Sequence, residues 1–284
     1  MIKRNLLIAI LILCSIGIIK GQTVSDSLAI MSARWKVESP QKGIIHKYAS
    51  IPRLYQGTQS VSLIEIEPGA GLKVDIAVSD EMKETSRIAS EHRGIAAING
   101  SYFDMKRGNS VCFLKVGNQV VDTTTLSECK LRVTGAMHVH KGKIKLIPWS
   151  RQIEKEYEGE TGMVLASGPL MLKDGQICDW NSCGTNFIRT KHPRSAVATT
   201  KEGKILLITV DGRFPEQAEG VNIPELAHLI RILGGEDALN LDGGGSTTLW
   251  LSGASDDGVV NYPCDNERFD HAGERKVPNI LYIH

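Results

Sequence analysis

Two carboxylates in this chain each end an apolar run and directly precede glycine. Asp211 closes the run 204–210 and is followed by Gly212-Arg213. Asp242 closes Leu239-Asn240-Leu241 and is followed by Gly243-Gly244-Gly245-Ser246. A carboxylate at the end of a buried strand is held rigidly at the rim of a sheet. The glycines let backbone approach a ligand closely, and successive N–H groups in such a turn can form an anion-binding nest. No Lys follows the glycines, so this is not a P-loop. Two further polar spots sit at strand ends, Asn99 with Asp104, and Arg194.

Two carboxylates with two guanidinium groups, Arg194 and Arg213, suit a phosphorylated sugar. An arginine fork matches two phosphate oxygens. A carboxylate can stabilise an oxocarbenium-like centre, attack it or activate water. Each group also has a plain structural use. Arg194 and Asp211 could pair as a rim salt bridge of small energetic value. Asn99 could satisfy neighbouring backbone, and Asp242 or Asp211 could only cap a turn. Asp242, Asp211 and Asn99 could instead supply hard oxygen ligands to a divalent cation, the one cofactor that the residues suggest. His138 and His140 share a strand face, but a solvated face explains them. Trp149, Trp180 and Trp250 could stack on a sugar, although packing is the default for Trp. Glu91 is a weaker carboxylate candidate.

The elements that must position these groups are legible in the apolar periodicity. Leu72, Val74, Ile76 and Val78 alternate with polar or small residues, as in a half-buried strand. Strands are expected near 43–48 and over 61–67, 95–98 and 277–283. A helix is expected over 85–93, stopped by Gly94. Gly-containing turns at 117–118, 141–142, 174–175 and 202–203 punctuate apolar runs and predict hairpins. The turn at 202–203 brings Arg194 and Asp211 to the same end of one hairpin. Asn222 caps a second helix, with Pro224 in its first turn and Leu226, Leu229, Ile230 and Leu233 on one face. Residues 253–275 read as a long polar loop of the kind that is usually functional. A helix, glycine, strand, polar residue and glycine recur at 85–101 and 222–246. That repetition predicts that Asn99 and Asp242 meet at one rim. The expected fold is α+β, a single domain of mixed, largely antiparallel sheet with a few helices and a surface cavity at strand ends.

The chain has 284 residues, 42% hydrophobic and 23% charged, enough for a large core. No basic block points to nucleic acid. Lys3 and Arg4 precede the apolar run 6–19, and Gly21 offers a small residue for cleavage, so residues 1–21 read as a signal peptide. The run is short for a stable membrane span. Leu13 is too bulky for the small-residue site of lipid attachment at Cys14. Removing Lys3, Arg4 and Lys20 turns the formal +1 into −2. Residues 22–59 read as an extension packed on a domain at 60–284. Export to periplasm or medium allows disulfides. Cys178 with Cys183 is the expected pair and Cys112 with Cys129 the second choice. The mature count of five is odd, so at least one thiol stays free.

Five segments occur in order: 99–104 (Asn-Gly-Ser-Tyr-Phe-Asp), 167–170 (Ser-Gly-Pro-Leu), 193–198 (Pro-Arg-Ser-Ala-Val-Ala), 210–213 (Val-Asp-Gly-Arg) and 240–247 (Asn-Leu-Asp-Gly-Gly-Gly-Ser-Thr). Together they resemble the phosphodiester glycosidase family over about residues 60–284. The resemblance implies a mixed α+β fold and cleavage of a sugar from the phosphate that links it to another group. It implies a cavity that includes Asn99, Asp104, Arg194, Asp211, Arg213, Asp242, Gly243, Gly244 and Ser246. Asp211 and Asp242 are then the candidates for the chemistry. The alternative is a non-catalytic binder of phosphorylated glycans at the cell envelope.

Overall fold

The strand Arg194–Thr200 carries Val197 into one apolar cluster and Ala196 and Ala198 into another, so both of its faces are buried. This two-sided burial sets the layering of the whole molecule. The computed structural model describes residues 23–117, 119–157, 159 and 161–284. The expected signal peptide and Cys14 lie outside the described residues.

Helix α1 (Val24–Met31) precedes a meander of β1 (Lys36–Gln41), β2 (Ile44–Leu54) and β3 (Gly57–Ile66). Next come β4 (Val74–Lys83), α2 (Thr85–Glu91) and β5 (Ala96–Asn99). The middle holds β6 (Leu114–Val116), β7 (Gln119–Asp122), α3 (Leu126–Leu131), β8 (Gly135–His140), β9 (Lys143–Pro148), α4 (Arg151–Lys155) and β10 (Met163–Ser167). Then follow β11 (Leu170–Lys173), β12 (Gln176–Ile177), α5 (Thr185–Arg189), β13 (Arg194–Thr200) and β14 (Ile205–Val210). The last third carries α6 (Ile223–Ile232), β15 (Gly235–Asn240), β16 (Leu249–Leu251) and β17 (Val277–Ile283).

These strands form three sheets, in the orders β1-β2-β3-β14-β13-β15-β11-β12, β7-β6-β10-β8-β9 and β16-β5-β17-β4. Every ladder between them is antiparallel, which makes the fold a mixed α+β one. One face of the large sheet packs Ile64, Val197, Leu207 and Leu239 against Ile76, Ile98 and Leu281 of the small sheet and Met137 and Leu165 of the third. Its other face packs Ala198, Leu206 and Ile208 under Leu226 and Ile230 of α6 and Ile30 of α1. Ile88 of α2 covers the far side of the small sheet. The edge strand β1 is exposed throughout and carries Lys36, Glu38 and Pro40, residues that discourage edge-to-edge pairing.

The expected helices and all four expected hairpins are present. Asn222 and Glu225 form a reciprocal capping box at α6, with Pro224 in the first turn. The strand Met163–Ser167 and the helices α3, α4 and α5 were absent from the periodic reading, because segments of five or six residues are too short to show a period. Residues 44–54 pair with β3, which runs through residue 60, so the large sheet continues across the boundary expected there. The cysteine expectation is corrected. Cys112, Cys129, Cys178, Cys183 and Cys264 are all free thiols. Cys178 and Cys183 are instead tied separately, by their main-chain N–H groups to Met171 O and Trp180 O.

Candidate active site

Register brings the polar ends together. Arg194 pairs with Val210, so Arg194 and Asp211 do lie at one end of the β13–β14 hairpin. Ala196 pairs with Asn240, which carries Asp242 to that same end. Beyond β15, Leu241 N–H donates to Ser195 O at 2.9 Å and Asp242 N–H to Gly100 O at 3.0 Å. Asn99 Nδ2 donates to Asp242 O at 2.7 Å. The predicted meeting of Asn99 and Asp242 is therefore real, although β5 and β15 belong to different sheets.

Asp242 is half-buried, and its Oδ1 accepts from Gly243 N–H at 2.9 Å. Burial pushes its carboxyl above the ordinary aspartate range, while the Ser246 hydroxyl and the Arg132 and Arg275 charges pull it back. The three glycines each have a separate physical reason. A Cβ on Gly243 would sit 2.5 Å from Pro193 O, so only glycine lets the turn pass that carbonyl. Gly244 has φ +62°, and a Cβ there would lie 3.0 Å from Arg213 Nη2. A Cβ on Gly245 would overlap Arg275 Nη2 and Asp265 Oδ1. Ser246 is fully buried, and its hydroxyl is turned to the Asp242 carboxyl.

The other expected residues take different places. Asn99 is fully buried, and its Oδ1 accepts from Ser195 Oγ at 2.6 Å and Thr248 N at 3.1 Å. Asp211 is also fully buried. It accepts from Ser60 Oγ at 2.7 Å, Asn261 Nδ2 at 2.8 Å and Tyr262 N at 3.0 Å. Burial pushes it up to about 6 against the pull of those donors. With both oxygens occupied, it holds the 261–262 segment rather than facing a ligand. Arg194 does not pair with Asp211. Its Nε donates to Val221 O, and its Nη2 to Phe187 O and Thr190 O, each within 3.2 Å. Burial pulls this guanidinium down to about 10. Its fork serves main-chain carbonyls, where phosphate binding had been expected. Asp104 Oδ1 accepts from Lys106 N and Arg107 N, and these bonds hold its carboxyl below the usual range. Its carboxylate thus closes a turn. Arg213 is exposed and donates to Cys264 Sγ at 3.7 Å.

Several groups at the site were not among the expected residues: Tyr102 lies inside the 99–104 segment without having been singled out, and Arg132 and Arg275 lie in none of the five segments. Tyr102 is buried, and its hydroxyl donates to Gly168 O and accepts from Asn240 Nδ2 at 2.8 Å. Arg132 lies over the Tyr102 ring, 3.5 Å from its centroid, and grips Glu128 through two nitrogens. Arg275 pairs with Asp265 above Gly245. The one available signal for Arg275 was its place in the polar 253–275 loop. Among the described residues no group of three or more His, Cys, Asp or Glu is arranged to hold a metal. The His138 and His140 rings stack on each other, 6.4 Å apart. Trp149, Trp180 and Trp250 donate to Glu154, Leu170 O and Asp257 O. Glu91 pairs with Lys83 and Arg87 at the surface.

Residues 92–284, well over half of the chain, match the phosphodiester glycosidase family. The chain belongs to that family. A phosphodiester glycosidase relative from Mus musculus, N-acetylglucosamine-1-phosphodiester alpha-N-acetylglucosaminidase, is 34% identical over 102 residues, 35% of this chain and 18% of the mouse protein. The Bos taurus protein of the same name is 34% identical over 100 residues, 34% of this chain and 18% of that protein. The aligned stretch thus spans under a fifth of these relatives. Among solved structures, the zebrafish enzyme's catalytic domain, auto-inhibited by its pro-peptide, has a TM-score of 0.65 at 20% identity, covering 88% of this chain and 87% of that one. A hypothetical protein from Synechocystis has a TM-score of 0.59 at 15% identity, covering 88% and 63%. At these identities the structural likeness concerns the fold. No helix among the described residues is long and apolar enough to cross a membrane.

Proposed function

We propose that this phosphodiester glycosidase hydrolyses a sugar-1-phosphodiester to free sugar and a phosphomonoester. The observation that carries the reading is Asp242, a half-buried carboxylate on a turn whose main chain is pinned on both sides and whose glycines seat two guanidinium groups. The bond between C1 of the sugar and the bridging oxygen breaks, and its electron pair leaves with the phosphate. Water adds to C1 and loses a proton. Asp242 faces C1, where its charge stabilises the cationic centre and its oxygen receives the proton. A phosphate leaving group needs little protonation, so no strong general acid is required opposite it. Arg213 offsets the charge on the phosphate. Asp211 and Asn99 act through the segments they hold, as positioning residues. A panel of sugar-1-phosphodiesters, scored for free sugar and phosphomonoester, tests the reading; binding without release of sugar from any member would sink it.

The protein is proposed to act outside the cytoplasm. The charged start at Lys3 and Arg4 and the apolar run 6–19 support export with cleavage near Gly21. Mass spectrometry of the exported chain's N-terminal peptide tests this, and an intact Met1 would overturn it.

A further inference from the structure

Three features converge on the turn after Asp242. Arg213 Nη2 lies against Gly244. Arg275 occupies the space where a side chain on Gly245 would sit, and its Nε donates to Asp265 Oδ1 at 3.0 Å. Ser246 Oγ is fully buried at the end of the same turn, where its hydroxyl bears on the Asp242 carboxyl. Two guanidinium groups over adjacent glycines carry planar donors suited to a tetrahedral anion. Asp265 is a partly exposed acceptor, accessible enough to be exchanged for another one.

We propose that Arg275 is the second phosphate-binding residue of this chain, acting with Arg213 across Gly244 and Gly245, and that Asp265 is its resting counter-ion, displaced when phosphate binds. This assignment replaces Arg194, whose donors are committed to carbonyls. Phosphate then lies beside Asp242, with the sugar it carries toward that carboxylate. Gly245 is required because any side chain would push Arg275 and Asp265 off the turn. The assignment rests on the glycosidase reading for its substrate, but its binding test does not depend on turnover.

The test is calorimetric titration of the full exported chain with inorganic phosphate, in parallel with hydrolysis of the phosphodiester panel. Arg275→Gln should weaken phosphate binding by about tenfold or more, the loss expected for a charge-assisted pair of hydrogen bonds. Asp265→Asn should tighten binding several-fold, because it removes the competing negative charge while keeping the shape of the side chain; a merely structural Asp265 would not produce that gain. Arg87→Gln, which removes an exposed charge elsewhere, should leave binding unchanged. Melting curves on each protein verify that they fold. Unchanged binding in Arg275→Gln, equal or weaker binding in Asp265→Asn, or no phosphate binding by the parent protein would each overturn the proposal. Arg275-dependent phosphate binding without hydrolysis would uphold the anion site and defeat the glycosidase reading. Hydrolysis with phosphate binding indifferent to Arg275 would do the reverse.

Discussion

Asn99 holds Asp242 by its main chain: the Asn99 amide donates to the Asp242 carbonyl, while its own oxygen accepts from Ser195 Oγ and Thr248 N. One side chain thus ties the small sheet, the large sheet and the glycine turn together. Asn99→Ala leaves Ser195 Oγ and Thr248 N without their buried acceptor. The expected cost is about 2–4 kcal/mol, since each unpaired buried polar group costs about 1–3 kcal/mol. Urea unfolding measures the stability, and hydrolysis by the surviving folded protein should fall because the Asp242 turn is no longer fixed.

Asp242→Asn keeps the shape of the side chain and removes its charge. Hydrolysis should fall by roughly a hundredfold or more, the typical loss for a positioned acid–base group. Its melting temperature should hold or rise, because burial disfavours the charged form that the substitution removes. A normal rate with a normal melt would return Asp242 to the status of a turn cap.

Asp211 links stability to pH. Its carboxyl is raised from 3.8 to about 6 in the folded chain, so between those values the folded state holds the proton that the unfolded state has released. Stability therefore falls as pH rises through that window, and the penalty is fully present above about 6. Asp211→Asn can still accept from Asn261 and Tyr262 with its oxygen and donate to Ser60 Oγ with its amide. Urea midpoints taken at pH 4.5 and pH 7 should differ less in the variant than in the parent. An unchanged difference would mean that Asp211 is not the source.

Arg194→Lys tests the reassignment of this residue to structure. Lysine cannot reproduce three donors aimed at Val221, Phe187 and Thr190 carbonyls. A loss of about 2 kcal/mol follows from the missing charged hydrogen bonds. In a chain of this size that lowers Tm by roughly 4–8 °C. Calorimetric melting reads it directly. A full Tm with weakened phosphate binding would place Arg194 back at the ligand.

His228 fastens α1 to α6. Ser27 Oγ lies 3.0 Å from His228 Nε2, and Tyr55 Oη lies 2.7 Å from His228 Nδ1. A neutral ring, with one donor and one acceptor, suits two hydroxyls. Burial holds the imidazole below its ordinary 6.5, with the Arg231 charge adding to that and Asp26 opposing it. As pH falls through 6.5 the unfolded chain takes up the proton first, so stability declines below that value. His228→Phe should remove this acid sensitivity and leave Tyr55 Oη unpartnered, costing about 1–3 kcal/mol. Limited proteolysis should then cut residues 23–35 sooner than in the parent.

Local code made much of the fold legible. Alternation marked β4, glycine turns marked the hairpins, and Asn222, Pro224 and Glu225 marked the start of α6, because these signals act between residues close in sequence. The repeated strand-then-glycine pattern even placed Asn99 beside Asp242. What the sequence could not determine was the direction each polar end group faces. Asp211 and Arg194 stand at strand ends like Asp242, yet neighbouring elements close over them: Asn261 and Tyr262 over the first, Phe187, Thr190 and Val221 over the second. Arg132 and Arg275 reach the site from α3's end and from the loop before β17, through packing among distant elements that leaves no periodic trace. Chain neighbours set the turns; only the closing of three sheets onto one core decided which charges were spent on holding the fold and which were left for a ligand.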